Sequence, residues 1–155
     1  MISRDNYTRD HILEIRKQSG ADPSIIERTI FAFGLLEAIQ RVGLPFVFKG
    51  GTSLMLILSR PMRLSTDIDI VVEPGTDVDY YVEKAKEIFP FHGMKEDIRF
   101  GANKIEKRHF RFLFKSPLTG KDIHILLDVV FENVQYAKIN EQAVENDMLL
   151  TVGSR

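Results

Sequence analysis

Asp67-Ile68-Asp69-Ile70-Val71-Val72 alternates between acidic and apolar residues before Pro74-Gly75 ends the run. Successive side chains of a strand leave opposite faces, so Asp67, Asp69 and Val71 share one face while Ile68, Ile70 and Val72 share the other. The same alternation returns downstream. Residues 109–115 put Phe110, Phe112 and Phe114 on one face and His109, Arg111, Leu113 and Lys115 on the other, and Ser116-Pro117-Leu118-Thr119-Gly120 then reads as a turn. Asp122–Phe131 follows as the antiparallel partner, with Ile123, Ile125, Leu127, Val129 and Phe131 forming an unbroken apolar face and His124, Leu126, Asp128 and Val130 opposite. If these strands belong to one sheet packed on helices through its apolar side, Asp67, Asp69 and Asp128 emerge together on the open side.

Working outward, residues 10–18 read as a short helix closed by Gly20. Asp22-Pro23 supplies an N-cap acceptor and a proline at the first helical position. Ile25, Ile26, Thr29, Ile30, Phe33, Leu36 and Ile39 then recur at helical spacing until Gly43. Phe46-Val47-Phe48 is a short apolar run suited to a buried strand. It leads into Gly50-Gly51, after which Thr52 or Ser53 can cap a helix through Leu54, Met55, Ile57 and Leu58 that stops before Pro61. Residues 78–89 are predicted to form a further helix on a stripe of Tyr81, Val82, Ala85 and Ile88. The pattern predicts an α/β (α+β) fold: a mixed β-sheet with helices packed on one face.

The chain has 155 residues and is 44% hydrophobic, enough for one sizeable core, and a single domain over residues 1–155 is expected. With 28% charged residues and a formal net charge of -1, no whole-chain basic excess would draw in a polyanion, so any nucleic acid must be held by a local patch. The absence of cysteine removes thiol nucleophiles, disulfide frameworks and zinc-thiolate sites. The polar N-terminus and the lack of any apolar run near the about 18 residues of a membrane span predict a cytoplasmic chain with no membrane partner. Periodicity fades beyond Phe131 and the chain stops at Arg155 without a closing element, which suggests an N-terminal piece of a longer protein.

Carboxylates two apart on a strand stand about 6–7 Å apart along the backbone. Three gathered together repel one another and take up protons unless a cation neutralises them. Mg²⁺ or Mn²⁺ suits such a site, because both prefer oxygen ligands and Mg²⁺ commonly combines one or two carboxylates with substrate phosphates. Two ions about 3.5–4 Å apart would activate an attacking hydroxyl and stabilise a leaving pyrophosphate. Asp67 and Asp69 alone can equally be the polar face of a strand. Gly50, Gly51, Thr52 and Ser53, between a strand and a helix, allow close backbone approach to phosphates and present free helix N–H groups. An N-capped turn would read the same way. Neither a Walker P-loop nor an EF-hand pattern is present.

The combination is more specific than its parts. Phe48-Lys49-Gly50-Gly51-Thr52-Ser53-Leu54 followed by Arg63-Leu64-Ser65-Thr66-Asp67-Ile68-Asp69 resembles the first motif of the AbiEii/AbiGii-like nucleotidyltransferases, members of the DNA polymerase β superfamily, and Asp128 in Leu127-Asp128-Val129 matches their third carboxylate. The resemblance covers roughly residues 25 to 131. It implies a nucleotidyltransferase fold, NTP as co-substrate, divalent metal as cofactor and the toxin role of a type IV toxin-antitoxin pair, with an RNA or protein acceptor and a cognate antitoxin as expected partners. Relatives continue into a helical C-terminal region with a further lysine and aspartate motif, and nothing after Phe131 here matches it.

On this reading Asp67 and Asp69 bind both metals, Asp128 completes the nucleophile-activating one, and Gly50, Gly51, Thr52, Ser53 and Arg63 hold the phosphates. Lys49 and Arg111 are weaker candidates. Lys104, Lys107, Arg108, Arg111, Lys115 and Lys121 read as a solvated hairpin more readily than as an acceptor guide, and the three phenylalanines as core. His11, His92, His109 and His124 share no metal-ligand spacing and receive no role. Two other functions compete: a D-x-D nucleotide-sugar glycosyltransferase, which needs neither the glycine turn nor Asp128, and a non-catalytic module of the same fold that binds nucleotide or antitoxin.

Overall fold

The structure is a computed structural model that describes residues 3–49, 67–97 and 107–133. A 3-10 turn at Arg4–Tyr7 leads to α1 (Arg9–Ser19), α2 (Pro23–Arg41), β1 (Val47–Lys49), β2 (Ile68–Val72), α3 (Val78–Ala85), β3 (Phe91–Glu96), β4 (Lys107–Lys115) and β5 (Asp122–Phe131). Local chemistry sets the helix starts. The Thr8 hydroxyl accepts from the His11 N–H, the Asp22 carboxylate from the Ser24 N–H ahead of Pro23, and the Asp77 carboxylate from the Tyr80 N–H. Each satisfies one of the amide groups that a helix leaves without an internal partner.

The five described strands form one mixed sheet in the order β1-β2-β5-β4-β3. β1 pairs antiparallel with β2, β5 with β4 and β4 with β3, whereas β2 and β5 run parallel. The parallel pair is therefore the seam between two antiparallel ribbons, and the chain between its strands contributes α3, β3 and β4.

One face of the sheet is packed on helices. Ile68, Ile70, Val72, Phe110, Phe112, Phe114, Ile125, Leu127 and Val129 meet Phe31, Leu35 and Ile39 of α2 and Val78, Val82 and Ala85 of α3. Phe31 stacks on Phe114 with ring centroids 3.7 Å apart. On its other side α2 joins a second cluster, in which its Ile26, Ile30 and Phe33 pack with Ile12 and Ile15 of α1. Covered from both sides, α2 buries more than the expected stripe: Phe31, Ala32, Leu35 and Ala38 are also buried. The β4–β5 turn is fastened to this helix. The Ser116 hydroxyl donates to the Glu27 carboxylate at 2.5 Å and accepts from the Leu118 and Thr119 N–H groups, with Ser116 and Glu27 both 2% exposed.

Several features differ from the sequence expectation. α3 ends at Ala85 and not at residue 89, although Ile88 still packs on the core. Phe91–Glu96, with no period-two pattern of its own, forms an edge strand that the sequence did not signal. Val71 is buried despite sharing the parity of Asp69. The helix expected over residues 54–58 lies outside the described residues.

Candidate active site

The open face of the sheet carries one transverse row set by register. Lys49 of β1 stands opposite Asp69 of β2, Asp69 opposite Asp128 of β5, and Asp128 opposite His109 of β4. The flanking residues on β2 and β5 (Ile68, Ile70, Leu127 and Val129) point into the core. Backbone parity thus separates the carboxylates from the apolar side, as the alternating pattern requires.

The side chains of Asp69 and Asp128 lie within hydrogen-bonding reach of one another. Partial desolvation against the sheet, hydrogen bonding to Asp128, and the like charges of Asp128 and Asp67 push the Asp69 carboxyl up to about 6, while the nearby Lys49 opposes the rise. Asp128 also contacts the ring Nδ1 of His109 through its Oδ1, on the flank away from Asp69. The structure therefore joins Asp69 and Asp128 and makes Asp67 their electrostatic neighbour. Among the described residues, no group of three His, Asp or Glu side chains is gathered so as to hold a metal ion by itself.

The remaining sequence candidates separate into different environments. Lys49 Nζ lies 3.6 Å from Glu132 Oε1, both side chains well exposed, within electrostatic reach of Asp69. Arg111 Nη2 donates to Asp97 Oδ2 at 3.1 Å, and the Asp97 N–H donates to the His109 carbonyl at 2.7 Å, tying the end of β3 beside the row. Partial burial, followed by the charges of Arg111 and Arg28, lowers the affinity of His124 for a proton. Arg108 serves a different purpose: its guanidinium donates to Glu96 and Asp79 and lies 5.0 Å from the Phe110 ring centroid, clamping α3 to β3 and β4. Gly50, Gly51, Thr52, Ser53 and Arg63 lie outside the described residues.

Sequence reasoning gave His109 no role, and the structure sets its ring Nδ1 against Asp128 Oδ1. Its partner is across a strand pair and so carries no sequence spacing of its own. The signal lay in the hairpin: once Lys115 closes against Asp122, an unbroken ladder brings His109 opposite Asp128.

A mixed sheet with helices on one face and a carboxylate pair at its parallel seam has the architecture expected of a nucleotidyltransferase fold. The chain belongs to the family described as nucleotidyl transferase AbiEii toxin, type IV TA system, whose profile matches residues 34–149. No curated protein matches it. Among solved structures it is similar to JHP933 from Helicobacter pylori, at 19% identity and a TM-score of 0.45 over 68% of this chain and 44% of that one. It is also similar to a second H. pylori protein, described as a candidate nucleotidyltransferase, at 17% identity and a TM-score of 0.49 over 74% of this chain and 52% of that one. The chain thus spans about half the length of each of these structures. Among the described residues no helix is long and apolar enough to cross a membrane.

Proposed function

We propose that this chain transfers a nucleoside monophosphate from an NTP to a hydroxyl acceptor and acts as the toxin of a type IV toxin-antitoxin pair. The reading rests on one observation: Asp69 and Asp128 stand in register, side by side on the open face of the sheet, where each charge disfavours the other. Two carboxylates held this close ionise at a cost that a cation relieves, so the donor set suits a hard divalent ion such as Mg²⁺ or Mn²⁺. Asp69 and Asp128 would hold the metal, with Asp67 adding negative charge nearby. Two carboxylates, with substrate phosphates completing the shell, match the usual habit of Mg²⁺. When bound, a pair of such ions supplies charge neutralisation at the attacking and leaving oxygens.

In the transfer, the acceptor oxygen bonds to the α-phosphorus of the NTP, the bond to pyrophosphate breaks, and the hydroxyl proton leaves to solvent or a base. Gly50, Gly51, Thr52 and Ser53 would hold the phosphates by backbone N–H and hydroxyl donors, and Arg63 would meet a phosphate oxygen. Family membership supports a cognate antitoxin as partner, and the hydroxyl acceptor would belong to an RNA or a protein.

The test is Asp69→Asn in the full chain, supplied with each labelled NTP, Mg²⁺ and total RNA or lysate. The substitution keeps volume and removes a charge aimed at the metal. Transfer is expected to fall by about 10²–10³-fold, as when one preorganised electrostatic group is deleted. Metal-free thermal stability should hold or rise, since repulsion with Asp128 is relieved. Wild-type turnover by this variant would remove the proposal.

A further inference from the structure

Asp128 is flanked unequally. On the β2 side stands Asp69, whose charge repels it; on the β4 side stands His109, whose ring Nδ1 contacts its Oδ1. Directly opposed residues of an antiparallel pair hold their Cβ atoms about 4.5–5.5 Å apart. An imidazole Nδ1 and a carboxylate Oδ1 each lie only two bonds beyond Cβ, so the ladder delivers one to the other without a long flexible arm. An ionised carboxylate can only accept, so in the ionised pair that would hold a cation the ring Nδ1 is the donor. The two side chains retain 16% and 24% exposure, which leaves them partly shielded from competing water. The backbone beneath is also fixed, because the His109 carbonyl accepts from the Asp97 N–H at 2.7 Å.

Without that donor, the Asp128 carboxylate would rotate about its two side-chain torsions away from Asp69, the direction that lowers repulsion. With it, the carboxylate is held from the β4 side and its other acceptor sites stay available toward β2. We infer that His109 is a positioning residue, holding Asp128 in the orientation in which the Asp69–Asp128 pair takes a divalent cation. This rests on the metal-dependent reading proposed above. The imidazole is a support behind a ligand and not itself a ligand. Groups that hydrogen-bond to metal ligands typically contribute about 10–100-fold to metal affinity.

The experiment titrates Mn²⁺ alone into the full chain and counts free ion by electron paramagnetic resonance, in wild type, Asp69→Asn, His109→Leu, His109→Asn and His109→Gln. The Asn amide nitrogen occupies the place of Nδ1, whereas the Gln amide lies one carbon farther out. Leu and Gln should therefore weaken Mn²⁺ binding by about 10–100-fold, and Asn should restore most of it. Metal-free melting temperatures of Gln and Asn should match, so a purely structural role would not reproduce the split. If Leu fails to fold, the comparison of Asn with Gln still decides. Undiminished binding in Gln, or no rescue by Asn, overturns the positioning role while the loss in Asp69→Asn keeps the metal reading intact. A nitrogen hyperfine coupling to bound Mn²⁺ that disappears in Asn would make His109 a direct ligand and also overturn it. No Mn²⁺ binding by wild type, or unchanged binding by Asp69→Asn, removes the metal reading and the inference with it.

Discussion

The two faces of the central strands are built from the same residues in alternation, yet they answer to opposite physics. On the helix side Ile68, Ile70, Leu127 and Val129 are all at most 1% exposed and pack against α2 and α3. Half a pleat away, Asp69 and Asp128 are pressed into mutual repulsion. Apolar contacts on the first face are non-directional and additive over area, while the second face stores unfavourable charge that only a proton or cation relieves. The rigid, well-packed side is what lets the strained side keep its geometry. Stability and chemistry should accordingly come apart when each face is changed alone.

The largest effect is expected from the packed face. Phe112 is fully buried beneath Phe91, and Phe112→Ala should cost about 3–5 kcal/mol in urea denaturation, as for other large-to-small core changes. A loss under 1 kcal/mol would mean that this face does not carry the fold. A smaller loss, about 1–3 kcal/mol, should follow Ser116→Ala, which takes from buried Glu27 the hydroxyl it accepts from. If denaturation of this variant matches wild type, the turn is not fastened to α2 in the way described.

The smallest effect has the opposite sign and comes from the open face. Asp69 has a folded-state pKa raised to about 6, above the usual carboxylate range near about 4. The folded state thus holds the proton more tightly than the unfolded state, and metal-free stability falls as pH rises from the unfolded pKa through the folded one. Asp69→Asn removes this decline. Relative to wild type it should show little gain below pH about 4 and its full gain above pH about 7, with the rise falling between the two pKa values. Denaturation midpoints measured at both ends of that window check it, and a gain independent of pH would contradict the shared-charge account.

How legible each face was follows from the same contrast. Period-two alternation located β5 at its observed bounds and β2 to within one residue, because burial on one side forces it. β4 begins two residues earlier than expected, at Lys107-Arg108, where charge hides a ladder that the backbone still makes. β3 was missed because an edge strand containing Gly93 and ending in Lys95-Glu96 has little side-chain pattern to show. Residues 78–89 read as too long a helix because Ile88 keeps the apolar spacing after the helix has ended. At the site, parity alone placed Asp69 and Asp128 on one face. It could not supply register, and register is what selects His109.

The parallel seam between β2 and β5 has a consequence in time. Each antiparallel ribbon joins strands across its own connection, and the Ser116–Gly120 turn makes β4–β5 a local event. The β2–β5 contact needs α3, β3 and β4 laid down first, and closing so long a stretch of chain is slow relative to hairpin formation. Asp69 and Asp128 are therefore expected to meet after the β4–β5 hairpin has closed. On that order a chain holds both carboxylates before it holds the pair, and whatever potency the pair confers waits on the seam.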